Sequence, residues 1–242
     1  MPGPFRSSIA GLDVDILGLQ EVDRHVYRTW FTDQSKLAAE ALCASTARNG
    51  SADRWPGGAP RSGHEVSAGR SPEPRARECD QIFAGAQWLG PGGRMGNALC
   101  VRGTVTDVET VWHPTALGHE HRNTIVASAT VRDTTLSIGV THLQNYRDEA
   151  HAGLATTIAA LAERPEPRVL LGDLNLPTDE CRTAIEAAGY TLLDTDGPDG
   201  RVITHDGAPR IDHIATMGIA GVEVAVPKPP ISDHAPIVVE LG

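Results

Sequence analysis

The sequence lacks the residue patterns that mark zinc-binding, membrane-spanning and exported proteins. Its four cysteines, Cys43, Cys79, Cys100 and Cys181, form no Cys-x-x-Cys pair, so we interpret them as buried thiols rather than metal ligands or a disulfide framework. No apolar run approaches the roughly 20 residues of a membrane-spanning helix. Residues 1–8 contain no apolar signal core. We therefore expect a soluble, cytoplasmic protein without stable membrane insertion.

Clusters of basic residues are also missing. The chain has 31 Asp and Glu residues against 21 Lys and Arg residues, a formal net charge of −10. Binding to the phosphates of long nucleic acids needs clustered Lys or Arg, so this composition disfavours a general nucleic-acid-binding protein. An excess of acid is compatible with a metal-dependent enzyme acting on a small phosphoester, because the cation screens the substrate locally.

Length and composition favour one domain over residues 1–242, with 40% hydrophobic residues available for its core. Residues 48–78 stand apart, because Gly, Pro, Ser, Arg and Glu dominate there and only Trp55 and Val66 are sizeable apolar residues. Such a segment cannot bury enough apolar surface to offset the entropy of ordering. We predict that it forms a flexible insertion.

Polar residues follow the predicted strands of this domain. The apolar run 169–171 predicts a buried strand, which Gly172 ends just before Asp173 and Asn175. Thr178 then predicts the start of a helix, so the two polar residues lie in a strand-to-helix loop. By itself, Gly-Asp-Leu-Asn is equally typical of a tight turn.

Four other segments show the same arrangement. They are Gln20-Glu21-Val22, Thr141-His142-Leu143, Ile211-Asp212-His213 and Ser232-Asp233-His234. Taken singly, each is also explained by a solvated acid or a structural histidine at a strand end. Together they supply the carboxylates and imidazoles that metal binding and general acid–base chemistry need.

In this order, the five motifs resemble those of the endonuclease/exonuclease/phosphatase superfamily, the deoxyribonuclease-I-like phosphoesterases, from about Ile9 to Leu241. The resemblance implies an α/β (α+β) four-layered sandwich, with two facing, mainly antiparallel β-sheets and helices on their outer faces. It also implies Mg²⁺ as cofactor, with Mn²⁺ as an alternative. The implied partner is a phosphoester substrate, whether a small molecule, a lipid or a nucleic acid. We expect a monomer.

The resemblance carries residue roles with it. Glu21 and Asp233 would bind the metal, and Asp212 would orient His234. Asp173 and His234 would position and deprotonate water. His142 and Asn175 would hold the phosphoryl group in the transition state. Asn97 in Gly-Asn-Ala-Leu and Arg122 before the strand predicted from Thr124 are candidate substrate contacts.

One departure from the family pattern leaves alternatives open. Family members usually begin with a strand that ends in an Asn near the metal and phosphate, whereas only eight residues precede Ile9 here and none is Asn. We therefore expect this first strand to be missing. Besides a hydrolase of phosphodiesters or phosphomonoesters, the sequence admits a catalytically impaired binding protein of the same fold and an endonuclease.

A second candidate metal site is the pair His119 and His121. A His-x-His pair suggests zinc, but no third ligand is near in sequence and the loop is polar throughout. We therefore favour an exposed, His-rich loop.

Overall fold

The computed structural model describes residues 2–49, 79–193, 210–224 and 232–242. The α-helices in these ranges are α1 (Pro2–Leu12), α2 (Gln34–Asn49), α3 (Arg147–Ala162) and α4 (Thr178–Ala187). The strands are β1 (Ile16–Arg24), β2 (Asp80–Trp88), β3 (Arg94–Val101), β4 (Thr104–Trp112), β5 (Asn123–Val131), β6 (Thr134–His142), β7 (Arg168–Asp173), β8 (Thr191–Leu193), β9 (Asp212–Met217), β10 (Gly221–Val224) and β11 (Val238–Leu241). Most of the predicted insertion, residues 50–78, lies outside the described ranges.

The strands form three sheets. The large sheet has the order β4-β5-β6-β7-β9-β8, the small sheet β1-β3-β2, and a two-stranded sheet pairs β10 with β11. Strands β6 and β7 are parallel, and the other pairs in these sheets are antiparallel. The predominance of antiparallel pairing agrees with the sequence-based expectation.

Three apolar clusters separate four layers. The central cluster joins Val101 of the small sheet and Val239 of β11 to Ile138 of the large sheet. A second cluster packs α1 and α2 against the outer face of β1 and β3, with Leu42 fully buried. In the third, Leu154 of α3 and residues of α4 cover the other face of the large sheet. This helix–sheet–sheet–helix arrangement confirms the predicted four-layered sandwich.

Helix α2 shows how local sequence sets an element boundary. The Asp33 carboxylate accepts hydrogen bonds from the Lys36 backbone N–H at 3.0 Å and the Ser35 hydroxyl at 2.6 Å. An acid in this position satisfies backbone donors that have no partner within the helix. The helix therefore begins at Gln34, directly after Asp33. None of the helices in the four described ranges is long and apolar enough to cross a membrane.

The interpretation of all four cysteines as thiols was wrong for two of them. Cys100 and Cys181 are free and buried, but Cys43 of α2 and Cys79 just before β2 form a disulfide across 36 positions. Packing of α2 beside the small sheet brings the two together, which sequence spacing does not reveal. Disulfides are typical of oxidising compartments, so this pair gives no support to the expected cytoplasmic location.

Gly172 connects the fold to the polar loop that follows β7. Its φ is +144°, and a Cβ there would lie 1.9 Å from the carbonyl oxygen of Thr141 on β6. We expect Gly172→Ala to lower the free energy of unfolding by on the order of 3 kcal/mol, because it combines an unfavourable φ with a backbone clash. Chemical denaturation measures this change.

Gly11→Ala is the matched control for Gly172→Ala. Gly11 lies in α1, and a Cβ there would meet no atom within 4 Å. Alanine in a helix is expected to leave stability unchanged or to raise it by about 0.5–1 kcal/mol. Equal effects of the two substitutions would contradict the proposed clash.

Candidate active site

The register of the large sheet places three predicted site residues in one row. His142 pairs with Asp173 across the parallel strands β6 and β7, and Asp173 pairs with Asp212 across β7 and β9. Residues in register on adjacent strands project from the same face of a sheet. Consequently His142, Asp173 and Asp212 lie side by side at one end of the sheet. The Nε2 of His142 is 3.5 Å from a carboxylate oxygen of Asp173.

Asp212 forms a hydrogen bond with His234, 22 positions later. The His234 Nδ1 is 2.8 Å from a carboxylate oxygen of Asp212. This bond raises the pKa of His234 to about 9, so the imidazole is cationic at neutral pH. The backbone N–H of His234 also donates to the Ser232 hydroxyl at 3.0 Å. The predicted Asp–His pair is therefore present in the geometry.

Asp173 occupies the centre of this row and is buried, with 6% of its surface exposed. Burial, together with the neighbouring Asp212 carboxylate, raises the pKa of Asp173 to about 7. One of its oxygens accepts the Asn175 backbone N–H at 2.8 Å. Asn175 has a φ of +50° and donates its side-chain amide to the Leu143 carbonyl at 2.9 Å. The loop that carries both residues is thereby held against the end of β6.

His142 is buried, and its contact with Arg122 determines which ring nitrogen carries the proton. The guanidinium lies 2.8 Å from Nδ1, and since Arg only donates, this nitrogen accepts and the proton resides on Nε2. Burial, with the positive charge of Arg122, holds the pKa of His142 well below its usual value. A neutral ring therefore presents a donor N–H on the side of Asp173.

Arg122 also links this row to the small sheet. Its second terminal nitrogen lies 2.9 Å from a carboxylate oxygen of Glu120, and the first lies 3.7 Å from that of Glu21. Its Nε is buried and has no hydrogen-bond partner among the described residues. Arg122 lines the same cavity as Glu21 and the row, where it supplies a fixed positive charge.

Glu21 reaches this cavity because β1 is irregular at that point. The register with β3 shifts between Leu19 and Val22, so Gln20 and Glu21 together oppose Asn97 in a β-bulge. Glu21 itself has a φ of +53°, a conformation that is costly for a residue with a Cβ. Its carboxylate lies 4.0 Å from the Nδ1 of His142 and is about half exposed. The bulge thus directs Glu21 to the residues of the large sheet.

Asp233 and Asn97 differ in position from the other predicted residues. Asp233 is exposed and lines the cavity next to His234. Asn97 is buried at 2% exposure, and its amide donates to the backbone oxygen of Asn123 at 2.8 Å. It does not belong to the residues that line the cavity. The geometry gives Asn97 a role in joining β3 to β5 and leaves its predicted substrate contact without structural support.

The donor set at this end of the sheet fits a hard divalent cation. Ligand-capable atoms of Asp173, Asp212 and His234 lie within 4.8 Å of one another, and because His234 is cationic, the two carboxylates are the ligands that this cluster offers to a cation. Carboxylate oxygens are the ligands that Mg²⁺ and Mn²⁺ favour. The Asp212 carboxylate contributes to the raised pKa of Asp173, and a bound cation would offset that repulsion. Glu21 and Asp233 line the same cavity and could complete the coordination.

The pair His119 and His121 has a different environment. The Nδ1 of His119 lies 2.5 Å from a Glu149 carboxylate oxygen, and the ring stacks on Tyr146 at 3.9 Å. His121 makes an edge contact with Trp112. Because the two rings engage separate partners, the geometry favours the expected polar loop over a zinc site.

Sequence reasoning missed the residues that hold Arg122 in place. Glu120 accepts a hydrogen bond from its guanidinium, and the Gln144 side chain donates to the Glu120 backbone oxygen. Gln144 follows His142 by two positions, and this proximity to a predicted site residue is the signal that could have identified it. Glu120 precedes Arg122, another predicted site residue, by two positions, so the same signal marks it.

Comparisons with known proteins agree with this geometry. The family model described as the endonuclease/exonuclease/phosphatase family matches residues 3–234. No curated protein sequence matches the chain. Among solved structures, a protein of this family from Beutenbergia cavernae is 17% identical with a TM-score of 0.69, and the match covers 100% of this chain but 66% of that one.

Two further solved structures have stated activities. ANGEL2, described as a 2′,3′-cyclic phosphatase in complex with adenosine-2′,3′-vanadate, is 14% identical, with a TM-score of 0.65 and coverage of 98% of this chain and 84% of that one. A mannosyl-6-phosphatase from Bacteroides thetaiotaomicron is 17% identical, with a TM-score of 0.61 and coverage of 100% and 91%. At such identities the likeness establishes the fold alone.

The Asp212–His234 pair makes stability depend on pH. The folded pKa of His234, about 9, exceeds the unfolded value near 6.5, so its contribution is complete below about pH 6.5 and is lost as pH rises through 9. We expect the wild-type protein to lose more unfolding free energy over this interval than His234→Gln. Denaturation in the presence of a chelator measures the difference.

His121→Gln is the matched control, because His121 is exposed on a loop. It should keep the wild-type pH dependence. Identical curves for wild type and His234→Gln would contradict the raised pKa.

Proposed function

Because the chain belongs to the endonuclease/exonuclease/phosphatase family, whose members are hydrolases that include phosphatases and nucleases, we propose that it hydrolyses a phosphodiester or phosphomonoester bond by metal-assisted attack of water. This proposal rests on one observation: at the end of the large sheet, side-chain atoms of Asp173, Asp212 and His234 lie within 4.8 Å of one another. Arg122 and His142 adjoin them. Acid, base and phosphate-binding groups are thus available at one place.

Asp173 is the proposed general base. A base is most effective when its pKa lies near the working pH, and burial and Asp212 raise the pKa of Asp173 to about 7. The Asn175 N–H fixes the orientation of this carboxyl group by binding one of its oxygens. The other oxygen, which lies 3.5 Å from the Nε2 of His142, is proposed to take a proton from the attacking water.

His234 is proposed to stabilise the charge that develops on the phosphoryl oxygens. Asp212 holds the ring by Nδ1 and keeps it cationic, which leaves Nε2–H as the second donor. A preorganised cationic donor favours a transition state in which negative charge accumulates. As the reaction proceeds, the same N–H could protonate the leaving oxygen.

Arg122 and His142 are proposed to bind the phosphoryl group. Arg122 places its positive charge in the cavity, and the neutral His142 presents its Nε2–H. Both are buried, so their interactions with an anion are strengthened by the low dielectric. Asn175 orders the adjoining loop and is the further candidate for phosphate contact.

When bound, a divalent cation such as Mg²⁺ or Mn²⁺ would neutralise negative charge on the phosphoryl oxygens. Asp173 and Asp212 have the required carboxylates, and Glu21 and Asp233 line the same cavity. Glu21 lies 3.7 Å from the Arg122 guanidinium and 4.0 Å from the neutral His142 ring, so its carboxylate is next to the proposed phosphate-binding groups. The positions of Glu21 and Asp233 on the cavity wall support the ligand roles assigned to them by resemblance.

The proposed substrate is a small phosphoester. The net charge of −10 disfavours long polyanions. Two structural neighbours, a 2′,3′-cyclic phosphatase bound to adenosine-2′,3′-vanadate and a mannosyl-6-phosphatase, are phosphatases whose names refer to a nucleoside or a sugar phosphate. An endonuclease activity is the alternative that a substrate panel must include.

Hydrolysis by the purified protein tests the proposal. With Mg²⁺ and a panel of phosphodiesters, phosphomonoesters and DNA, we expect release of product that a chelator prevents. Asp173→Asn and His234→Gln should each lower kcat by about 10²-fold or more, because each removes a proton-transfer or charge-stabilising group. Asp133→Asn, at an exposed turn, is the control and should keep wild-type activity. Full activity in both site variants would refute the mechanism.

The role of Arg122 has its own test. Arg122→Lys keeps the charge but cannot contact His142, Glu120 and substrate together, so we expect kcat/KM to fall by about 10–100-fold. Arg132→Lys is the matched control, since Arg132 is exposed and lines the far part of the same cavity beside Asp15. An unchanged kcat/KM in Arg122→Lys would show that Arg122 acts through its charge alone, and comparable losses in both variants would contradict a specific role for the Arg122 contacts.

A further inference from the structure

Large apolar side chains are exposed on two loops at one end of the small sheet. The first loop follows β1, and its residues Tyr27, Trp30 and Phe31 are 76%, 77% and 59% exposed. The second loop joins β2 to β3, and the exposed side chains at its start are Trp88 and Leu89. Exposed apolar groups that cluster in this way mark a surface where another molecule binds.

The two loops form one surface. A Cβ on Gly93 of the second loop would lie 2.9 Å from the backbone oxygen of His25 in the first, so the loops are in contact. The register of the sheet also aligns Arg24 of β1 with Arg94 of β3, and Arg94 with Trp88 of β2. Residues in register project from the same face of a sheet. We name the exposed apolar surface the aromatic patch, which consists of Tyr27, Trp30, Phe31, Trp88 and Leu89.

The first loop holds its aromatic residues in a costly conformation. Trp30 and Phe31 have φ angles of +54° and +57°, which are unfavourable for residues with a Cβ. The loop is nevertheless fixed, because the Phe31 N–H donates to the Val26 carbonyl at 2.8 Å and an Arg24–Asp33 ion pair at 3.0 Å closes its base. Neither ring is buried in return, which indicates a role for the rings outside the folding of the chain.

A small basic recess lies beside the aromatic patch. It measures about 440 Å³, and its lining includes three basic side chains, those of Arg24, His25 and Arg94. Phe83 supplies an apolar wall, and the Arg24 guanidinium lies 5.6 Å from the centre of its ring. Arginine side chains bind phosphate through paired N–H donors, so the recess suits a phosphate group.

The charge of this surface is opposite to that of the chain as a whole. Segments 24–33 and 88–94 contain three arginines and a single acidic residue, Asp33, whereas the whole chain has a net charge of −10. The Asp33 side chain is only 15% exposed and is paired with an arginine. Arg28 keeps 59% of its side chain exposed, although its guanidinium contacts the buried Asp23. The surface therefore presents positive charge next to apolar rings.

We propose that the aromatic patch docks reversibly on a phospholipid bilayer, with its rings at the level of the headgroups and a lipid phosphate in the basic recess. Trp and Tyr favour the membrane interface, because each has an apolar ring and a polar group. Arginines beside the rings would bind the lipid phosphates. The docking is peripheral, since only the two loops enter the interface.

The arrangement of the rings favours a bilayer over single-stranded nucleic acid. Tyr27 lies 6.3 Å from Trp30 at an interplanar angle of 35°, and 6.0 Å from Phe31 at 76°. These three rings contact one another, and no two of these contacts are parallel stacks between which a base could insert. No side chain of the aromatic patch lines the active-site cavity or the basic recess. The rings project from the surface, as insertion into a lipid layer requires.

Binding of the full chain to vesicles tests the proposal. The vesicles contain phosphatidylcholine and phosphatidylglycerol in a ratio of about seven to three, at physiological salt. We expect Trp30→Asn and Phe31→Asn each to weaken binding by about tenfold, because each removes a ring from the interface. Each should leave the free energy of unfolding unchanged or raise it, because Asn adopts a positive φ more readily than an aromatic residue. Chemical denaturation measures this second effect.

Two control variants accompany these substitutions. Trp112→Ser removes an aromatic residue that is 53% exposed on β4 of the large sheet, and it should bind vesicles as the wild type does. Arg94→Gln should weaken binding to the mixed vesicles by about fivefold and have a smaller effect with phosphatidylcholine alone. Arg132→Gln removes an arginine that is 76% exposed outside the two loops and should have no effect.

Several outcomes would overturn the docking surface. They are absence of vesicle binding by the wild type, full binding by both Asn variants, an equal loss in Trp112→Ser, and a lower free energy of unfolding in both Asn variants. Binding of a single-stranded oligonucleotide in place of vesicles, or a doubling of the mass in solution that both Asn variants abolish, would replace the bilayer by nucleic acid or by a second copy of the chain. None of these readouts requires hydrolysis, so the docking surface can fail while the proposed hydrolase activity holds, and the reverse.

Discussion

The site depends on the pairing of three strands in the large sheet. Parallel pairing of β6 and β7 brings their carboxyl ends together, and antiparallel pairing of β7 with β9 adds the first residue of β9 to that end. His142, Asp173 and Asp212 are therefore held by backbone hydrogen bonds rather than by flexible loops. A slip of one residue in either pairing would turn a member of this row to the opposite face of the sheet.

Asp173 and Asp212 are adjacent in this row, and their different surroundings give them two chemical roles. Two carboxylates in register and partly out of water cannot both ionise at low cost. Asp212 is balanced by the cationic His234, whereas Asp173 keeps its proton up to a pH of about 7. In acid–base catalysts, the environment typically gives neighbouring titratable groups different pKa values. The proposed division between base and charge-stabilising acid follows from this asymmetry.

Packing between the sheets supplies the remainder of the site. Glu21 enters from the bulge of β1, and Arg122 connects it to His142 of the large sheet. Positive φ angles at Glu21 and Asn175 show that the backbone is costly at two of the positions that face the cavity. The surrounding sheets must offset that cost.

By itself, the sequence determined the family resemblance and the polar residues at the ends of predicted strands, because these depend on local pattern. Asp173, His142 and the Asp212–His234 pair were predicted as site residues in this way. Only the tertiary structure decided which side chains meet. It joined Cys43 to Cys79, buried Asn97 between the sheets, and placed Gln144 and Glu120 behind Arg122. These contacts arise from packing between segments far apart in the chain, where spacing along the sequence carries no information about distance.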